Sequence, residues 1–252
     1  MDCVVLAGGV PMPGDSLYSL TRGLPKAQVE VAGMTVGQRV VDALTDAETI
    51  DCIVIVGTEP GVFVSPKIVE TVPNRGGLVD NFMAGVDVLL ARDPAMPIAA
   101  GCSSDIPLLT GAMVDWFTSA AHAHDAVAGV IRRDVVQAGY PDYPNEYWRL
   151  TDGEFTAADF ILFRPAMASG LKARLEPLAG ARKNTLQTAR LIGWGLLFRY
   201  LVRRLSLTQA ERGISKALEL DLRILDVPHP EMGLDLDLLE HASVLERWVA
   251  RR

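Results

Sequence analysis

The chain of 252 residues is 49% hydrophobic and 22% charged, enough apolar sequence for a sizeable core and too much for wholesale disorder. Its formal net charge of −7 argues against non-specific nucleic-acid binding but allows local phosphate binding through a few Arg, Lys or metal ions. Cys3, Cys52 and Cys102 lie far apart, in or beside apolar runs, so they read as buried free thiols of a reducing, cytoplasmic compartment rather than a zinc site.

The first 44 residues carry the most information. An apolar strand, Asp2 to Leu6, runs into Ala7-Gly8-Gly9, then into a loop rich in Pro and Gly. Arg22-Gly23-Leu24-Pro25-Lys26 follows, then an apolar run from Val29 to Val31 and a helix from about Thr35 to Leu44. With Met1 leading straight into a strand, no signal peptide is expected. A glycine turn followed by two cations suits a polyphosphate, because backbone N–H groups can approach it while Arg and Lys meet its charge. The alternative is an ordinary strand-to-loop turn. Residues 9–16, GVPMPGDS, have the spacing of a P-loop, but Asp15 stands where that motif needs Lys and two prolines remove N–H donors. The P-loop is rejected, and the loop reads as a lid-like connector.

Cys52 to Val56 is the next strand, ending in Gly57, and Lys67 to Val72 reads as a short third. Asn74-Arg75-Gly76-Gly77 opens a helix from Leu78 to about Ala91. Its free N–H groups suit a base edge or phosphate, or it is a plain glycine entry to a helix. Pro97 to Gly101 reads as a strand, followed by Ser103-Ser104-Asp105-Ile106-Pro107 and a helix from Met113 to Ala123. Asp105 stands just past a strand's carboxyl end, where open α/β sheets bind ligands, so it suits a Mg²⁺ ion that also holds phosphates. It otherwise caps the following helix.

Ala126 to Ile131 is a further strand, and Arg133 to Glu146, with Pro141 and Pro144, reads as a loop. A hairpin with an Asp152-Gly153 turn comes next, then a strand from Phe160 to Phe163. Pro165 to Leu220 is mainly helical, Leu222 to Val227 is the last strand, and Leu236 to Val249 the closing helix. Asp235 and Asp237, two apart in extended chain, point to one side and would complete a metal site with Asp105. The alternative is an N-cap for the closing helix, and Asp237 suits both roles. Residues 191–207, LIGWGLLFRYLVRRLSL, set Arg199, Arg203 and Arg204 among apolar residues. They read either as a peripheral membrane face or as a helix packed on the domain with arginines at its wet edge. No stretch is long enough to span a bilayer. The alternation of strands and helices predicts an α/β fold, a mostly parallel sheet between helical layers. One domain over 1–252 with a helical insertion at about 165–220 is the simplest organisation.

In order, these pieces resemble the MobA-like NTP transferases, nucleotidyltransferases of the glycosyltransferase-A-like fold. The matching pieces are Leu6-Ala7-Gly8-Gly9, Arg22, Pro25-Lys26, the run KAQVEVAGMTVGQRVVDAL, Gly76-Gly77, Asp105-Ile106-Pro107 and Asp235-Leu236-Asp237. The loop before Arg22 is longer than in the guanylyltransferases, and Thr156-Ala157-Ala158-Asp159 stands where related enzymes carry a Gly-Gly-Asn-like acceptor motif. The resemblance implies a Rossmann-like α/β/α sandwich with a mixed sheet. It implies Mg²⁺-dependent transfer of NMP from an NTP, GTP or CTP, to a phosphorylated or hydroxyl small molecule, with release of pyrophosphate, by a monomer or homodimer. Arg22, Lys26 and Asp105 would be catalytic. Leu6, Ala7, Gly8, Gly9, Gly76, Gly77, Asn81 and Ser104 would join Arg22 and Lys26 around the nucleotide. Asp105 and Asp237 would hold the metal, with Asp235 as the alternative ligand. A non-catalytic nucleotide-binding protein and a glycosyltransferase using a sugar nucleotide are the alternatives.

Overall fold

The computed structural model describes residues 1–120, 124–181 and 194–251. Strand β1 (Asp2–Leu6) is followed by the short α1 (Tyr18–Thr21), and β2 (Glu30–Val31) pairs with β3 (Met34–Thr35) in a small hairpin. Helix α2 (Val36–Asp46) starts where Thr35 Oγ1 accepts the Gln38 N–H at 3.3 Å, an N-cap that satisfies one open donor. Then come β4 (Cys52–Val56), β5 (Ile68–Val72), α3 (Leu78–Arg92), β6 (Ala99–Ser103), α4 (Gly111–Ala120) and β7 (Ala126–Arg132). The second half holds α5 (Arg133–Gly139), β8 (Trp148–Leu150), β9 (Gly153–Phe163), α6 (Ala168–Ala181), α7 (Trp194–Leu201), α8 (Leu207–Leu218), β10 (Leu222–Asp226) and α9 (Leu239–Val249).

The main sheet runs β10-β7-β9-β6-β1-β4-β5, with β8 paired to β9. Strand β1 is parallel to both β4 and β6, β4 to β5, and β10 to β7, while β9 runs antiparallel between β6 and β7. Side-chain alternation along β1 sorts the two faces. Cys3 and Val5 join the core beneath α2 and α4, and Val4 joins the core beneath α3, where Phe82 meets Phe163 edge-on at 4.8 Å. The chain leaves β1 for β4 on one side and later for β6 on the other. This reversal opens a crevice at the strands' carboxyl ends. Cys3 and Cys102 are buried free thiols and Cys52 is half-buried and free; burial pushes the Cys3 and Cys102 thiols up, away from reactivity.

Several expected boundaries move. Residues 133–146 are not all loop. Arg133–Gly139 is helical, with Asp134 in its first turn favouring the helix N-terminus and the first proline reached only at 141. Phe160–Phe163 is not a separate strand but the end of the eleven-residue β9, which pairs with β6 and β7 at once. The strand expected at Pro97–Gly101 lies two residues later, and the closing helix starts at Leu239 rather than Leu236. The expected Met113–Ala123 helix is Gly111–Ala120, its end at 121–123 lying outside the described residues. Of the expected 165–220 helical segment, 182–193 lies outside them too. Among the described residues no helix is long and apolar enough to cross a membrane.

Candidate active site

A cavity of about 600 Å³ opens at the carboxyl ends of β1 and β6. One wall is glycine-rich. Gly8 and Gly9 leave β1, and Gly76 and Gly77 lead into α3. Two asparagines brace these loops. Asn74 Nδ2 donates to the Gly8 carbonyl at 2.8 Å, Asn81 Nδ2 donates to Asn74 Oδ1 at 3.1 Å, and the Arg75 N–H donates to Asn81 Oδ1 at 2.7 Å. Gly57, at φ +108°, lies beneath them. A Cβ there would meet the Gly8 Cα at 2.2 Å, so only glycine lets β4 turn away this close to the loop.

The opposite wall is acidic. Asp105 follows β6, and its carbonyl accepts the Leu236 N–H at 2.9 Å, which ties residues 235–237 to it. Leu234 and Leu236 are fully buried, so the alternating Asp235 and Asp237 turn to the cavity. One carboxylate oxygen from each of Asp105, Asp235 and Asp237 lies within 4.8 Å of the others. Three hard oxygen donors converging this way fit Mg²⁺. Asp159 on β9 lines the same cavity. Lys26 reaches across. Its ammonium pairs with Asp105 and sits 2.5 Å from Asp237 Oδ1, while its backbone N–H donates to the Gly9 carbonyl at 2.8 Å.

The electrostatics follow from four carboxyls gathered around one ammonium. Burial, then Asp237 and Asp105, push Asp235 up to about 7 against the pull of Lys26. Burial, then Asp105 and Asp235, hold Asp159 well above the usual carboxylate range. Burial would raise Asp237 too, but Lys26 beside it keeps it below its ordinary value. Burial opposes the charge on Lys26, yet Asp105 and Asp237 hold its pKa above the usual lysine value. The cluster thus carries surplus negative charge that a divalent cation would neutralise.

The 235–237 loop is supported from behind. The Tyr143 hydroxyl donates to the Asp235 carbonyl, and the Asp237 N–H donates to His241 Nδ1 at 3.2 Å. His241 is buried, which lowers its pKa toward the neutral imidazole. Asp237 therefore does not cap the closing helix, whose N-cap is Leu238. Asp105 does not cap α4, which begins six residues later at Gly111.

Ten of the expected site residues line the cavity: Leu6, Gly8, Gly9, Lys26, Gly76, Gly77, Asn81, Asp105, Asp235 and Asp237. Three do not. Ala7 is buried with its N–H donated to the Val56 carbonyl at 2.7 Å, and Ser104 is buried with its N–H facing the Leu6 carbonyl at 3.3 Å. Arg22 is exposed at the left-handed end of α1, at φ 49°. Asp159, expected only as a departure from a motif, lines the cavity as well; the sequence marks it as a lone carboxyl inside the apolar run Phe155–Phe163. A second cavity of about 280 Å³ shares Asp159, Asp235 and Asp237 with the first and extends past Asn145 and Thr156. The carboxyls therefore stand between two spaces.

A family model for the MobA-like NTP transferase domain matches residues 3–218. Comparison with curated proteins finds no match. A hypothetical transferase from Thermus thermophilus is 29% identical, with TM-score 0.83, over 96% of this chain and 98% of that one. Two further structures share the fold at 12% identity. The 4-diphosphocytidyl-2C-methyl-D-erythritol synthase of Anaerococcus prevotii has TM-score 0.58, over 99% of this chain and 96% of its own. A CMP:2-keto-3-deoxy-manno-octonic acid synthetase, complexed with CTP, has TM-score 0.59 over 99% and 98%.

Proposed function

We propose that this chain, which belongs to the MobA-like NTP transferase family, transfers an NMP group from an NTP to a small-molecule acceptor and releases pyrophosphate. The observation that carries this reading is the facing of the two walls. Braced glycine loops stand opposite three convergent carboxylates, with Lys26 between them. The triphosphate lies along the Gly8-Gly9 and Gly76-Gly77 loops, and the second cavity takes the acceptor. CTP is the first nucleotide to try, given the CTP held by one fold neighbour, and GTP the second, from the family resemblance.

An acceptor oxygen attacks the α-phosphorus in line. The new P–O bond forms as the bond from the α-phosphorus to the bridging oxygen breaks, and pyrophosphate leaves with that electron pair. Such a reaction needs positioning and charge neutralisation more than a covalent nucleophile. Lys26 neutralises charge developing on the phosphates. Asp159, which lines both cavities, stands where it can take the proton of a hydroxyl acceptor. Asp105, Asp235 and Asp237 would hold Mg²⁺, which when bound supplies Lewis-acid stabilisation of the phosphoryl oxygens.

Pyrophosphate release, assayed with each NTP and Mg²⁺ against a panel of phosphorylated and hydroxyl acceptors, tests the reading. Lys26→Ala and Asp105→Asn are each expected to lose about 10²-fold or more in rate. Wild-type rates in either variant would remove this cavity from the reaction.

A further inference from the structure

Residues 177–210 contain six Arg or Lys and no Asp or Glu, in a chain that otherwise carries 31 acidic residues and a net charge of −7. The described part of this stretch is centred on α7. Leu196 turns inward, packed so closely on α8 that a Cβ at Gly213 would meet it at 2.0 Å. Among the described residues the opposite stripe has no such cover. Trp194, Phe198 and Leu201, spaced four and three apart along one helical face, are 56%, 66% and 65% exposed. Arg199 lies on the helix, and Arg203 and Arg204 close it, with the Arg204 N–H donating to the Arg199 carbonyl at 2.7 Å. Aromatic and aliphatic side chains thus face outward on a helix that ends in three exposed arginines.

The position of this helix is fixed by the β8–β9 hairpin. The Thr151 N–H donates to the Leu205 carbonyl at 2.9 Å, and the Leu207 N–H to the Asp152 carboxylate at 3.0 Å. That hairpin rises from the sheet where Phe155 of β9 pairs with Arg132, the last residue of β7. It therefore extends beyond the carboxyl ends of the parallel strands, the edge where the 600 Å³ cavity opens. The hairpin adds its own exposed Trp148, at 50%, while its Arg149 is paired with Glu154 at 2.8 Å.

We propose that α7, with the arginines that follow it, is a docking surface for an anionic lipid bilayer, on which the helix lies in the plane of the interface. Tryptophan, phenylalanine and leucine suit the boundary between headgroups and acyl chains, and flanking arginines suit anionic headgroups. The acidic remainder of the chain is repelled by the same surface, so the basic face leads and the protein docks in one orientation. A nucleic acid would use the arginines but leave the apolar stripe in water. A single eight-residue stripe is also small for a stable interface with a second copy.

The test uses the full chain, without nucleotide, so it stands apart from the transfer reaction. Flotation with phosphatidylcholine vesicles, with and without phosphatidylglycerol, is measured together with tryptophan emission. The protein is expected to float with the anionic vesicles, with a blue shift, and to bind neutral ones at least ~10-fold more weakly. Arg203→Gln with Arg204→Gln removes the preference for anionic vesicles. Trp194→Ala with Phe198→Ala abolishes flotation and the blue shift, while unchanged thermal midpoints show that both variants are folded. Three results overturn the proposal: no flotation of the wild type with anionic vesicles; equal flotation of the wild type and both variants; or a wild-type dimer in sedimentation, or an RNA complex in a mobility shift, that the Trp194→Ala, Phe198→Ala variant loses while its vesicle binding is unchanged.

Discussion

At the scale of single residues the site is a balance of four carboxyls against one ammonium, and two consequences are measurable. On the proposed reaction, Asp159 acts where a proton must leave the acceptor. Asp159→Asn is expected to slow transfer to a hydroxyl acceptor by about 10²-fold or more and to leave transfer to an already ionised phosphate acceptor nearly unchanged; equal losses with both would show that it does not act as a base. Stability has its own signature. Asp235 titrates near 3.8 when unfolded and is pushed up to about 7 when folded. Between these values the folded state holds the extra proton, so this group's contribution falls as pH rises from about 4 to about 7. The depressed Asp237 acts in the opposite sense, and its contribution is lost only on acidification below the unfolded value. Metal-free wild type should therefore lose more thermal stability between pH 5 and 8 than Asp235→Asn does, and Mg²⁺ at pH 8 should restore much of it. Parallel pH profiles for the two proteins would contradict the electrostatic picture.

At the scale of elements, the site depends on where loops meet strands. Gly57 shows this most directly, since its positive φ and the 2.2 Å approach to Gly8 leave no room for a side chain. Gly57→Ala is expected to destabilise the fold by on the order of 2–4 kcal/mol in urea unfolding and to lose stabilisation by any NTP; an unperturbed variant would mean that the Gly8-Gly9 loop is not held as described. Periodic apolar strands such as Asp2–Leu6 and Cys52–Val56 were legible in the sequence because burial on both faces demands continuous apolar runs. So were the glycine turns and the Asp235, Asp237 pair, whose two-residue spacing fixes a common side. The α5 helix was hidden because the prolines that end it at 141 and 144 dominated the reading of the residues before them. Tyr143, which holds the 235–237 loop from behind, carries no local signal, since its hydrogen bond links positions 92 residues apart. Arg22 was expected beside Lys26 because both are cations in one segment, but the left-handed turn that ends α1 directs the chain so that only Lys26 enters the cavity.

At the scale of the whole molecule, the reversal of direction around β1 unites residues from five segments of the chain. β1 contributes Gly8 and Gly9, the connector Lys26, α3 its glycine entry, β6 Asp105, and the last stretch before α9 Asp235 and Asp237. The Asp105 carbonyl bond to the Leu236 N–H closes this circuit between residues 131 apart. The same edge of the sheet carries the β8–β9 hairpin, whose turn is hydrogen-bonded to the chain just past α7. The measurement that tests the account most directly is a crystal structure with a non-hydrolysable CTP or GTP analogue and Mn²⁺ in place of Mg²⁺, read by anomalous scattering. The account predicts a Mn²⁺ peak among the carboxylates of Asp105, Asp235 and Asp237, with Lys26 turned from Asp237 toward a triphosphate lying on the Gly8-Gly9 loop. A nucleotide bound elsewhere, or a metal peak away from those three carboxylates, would contradict it.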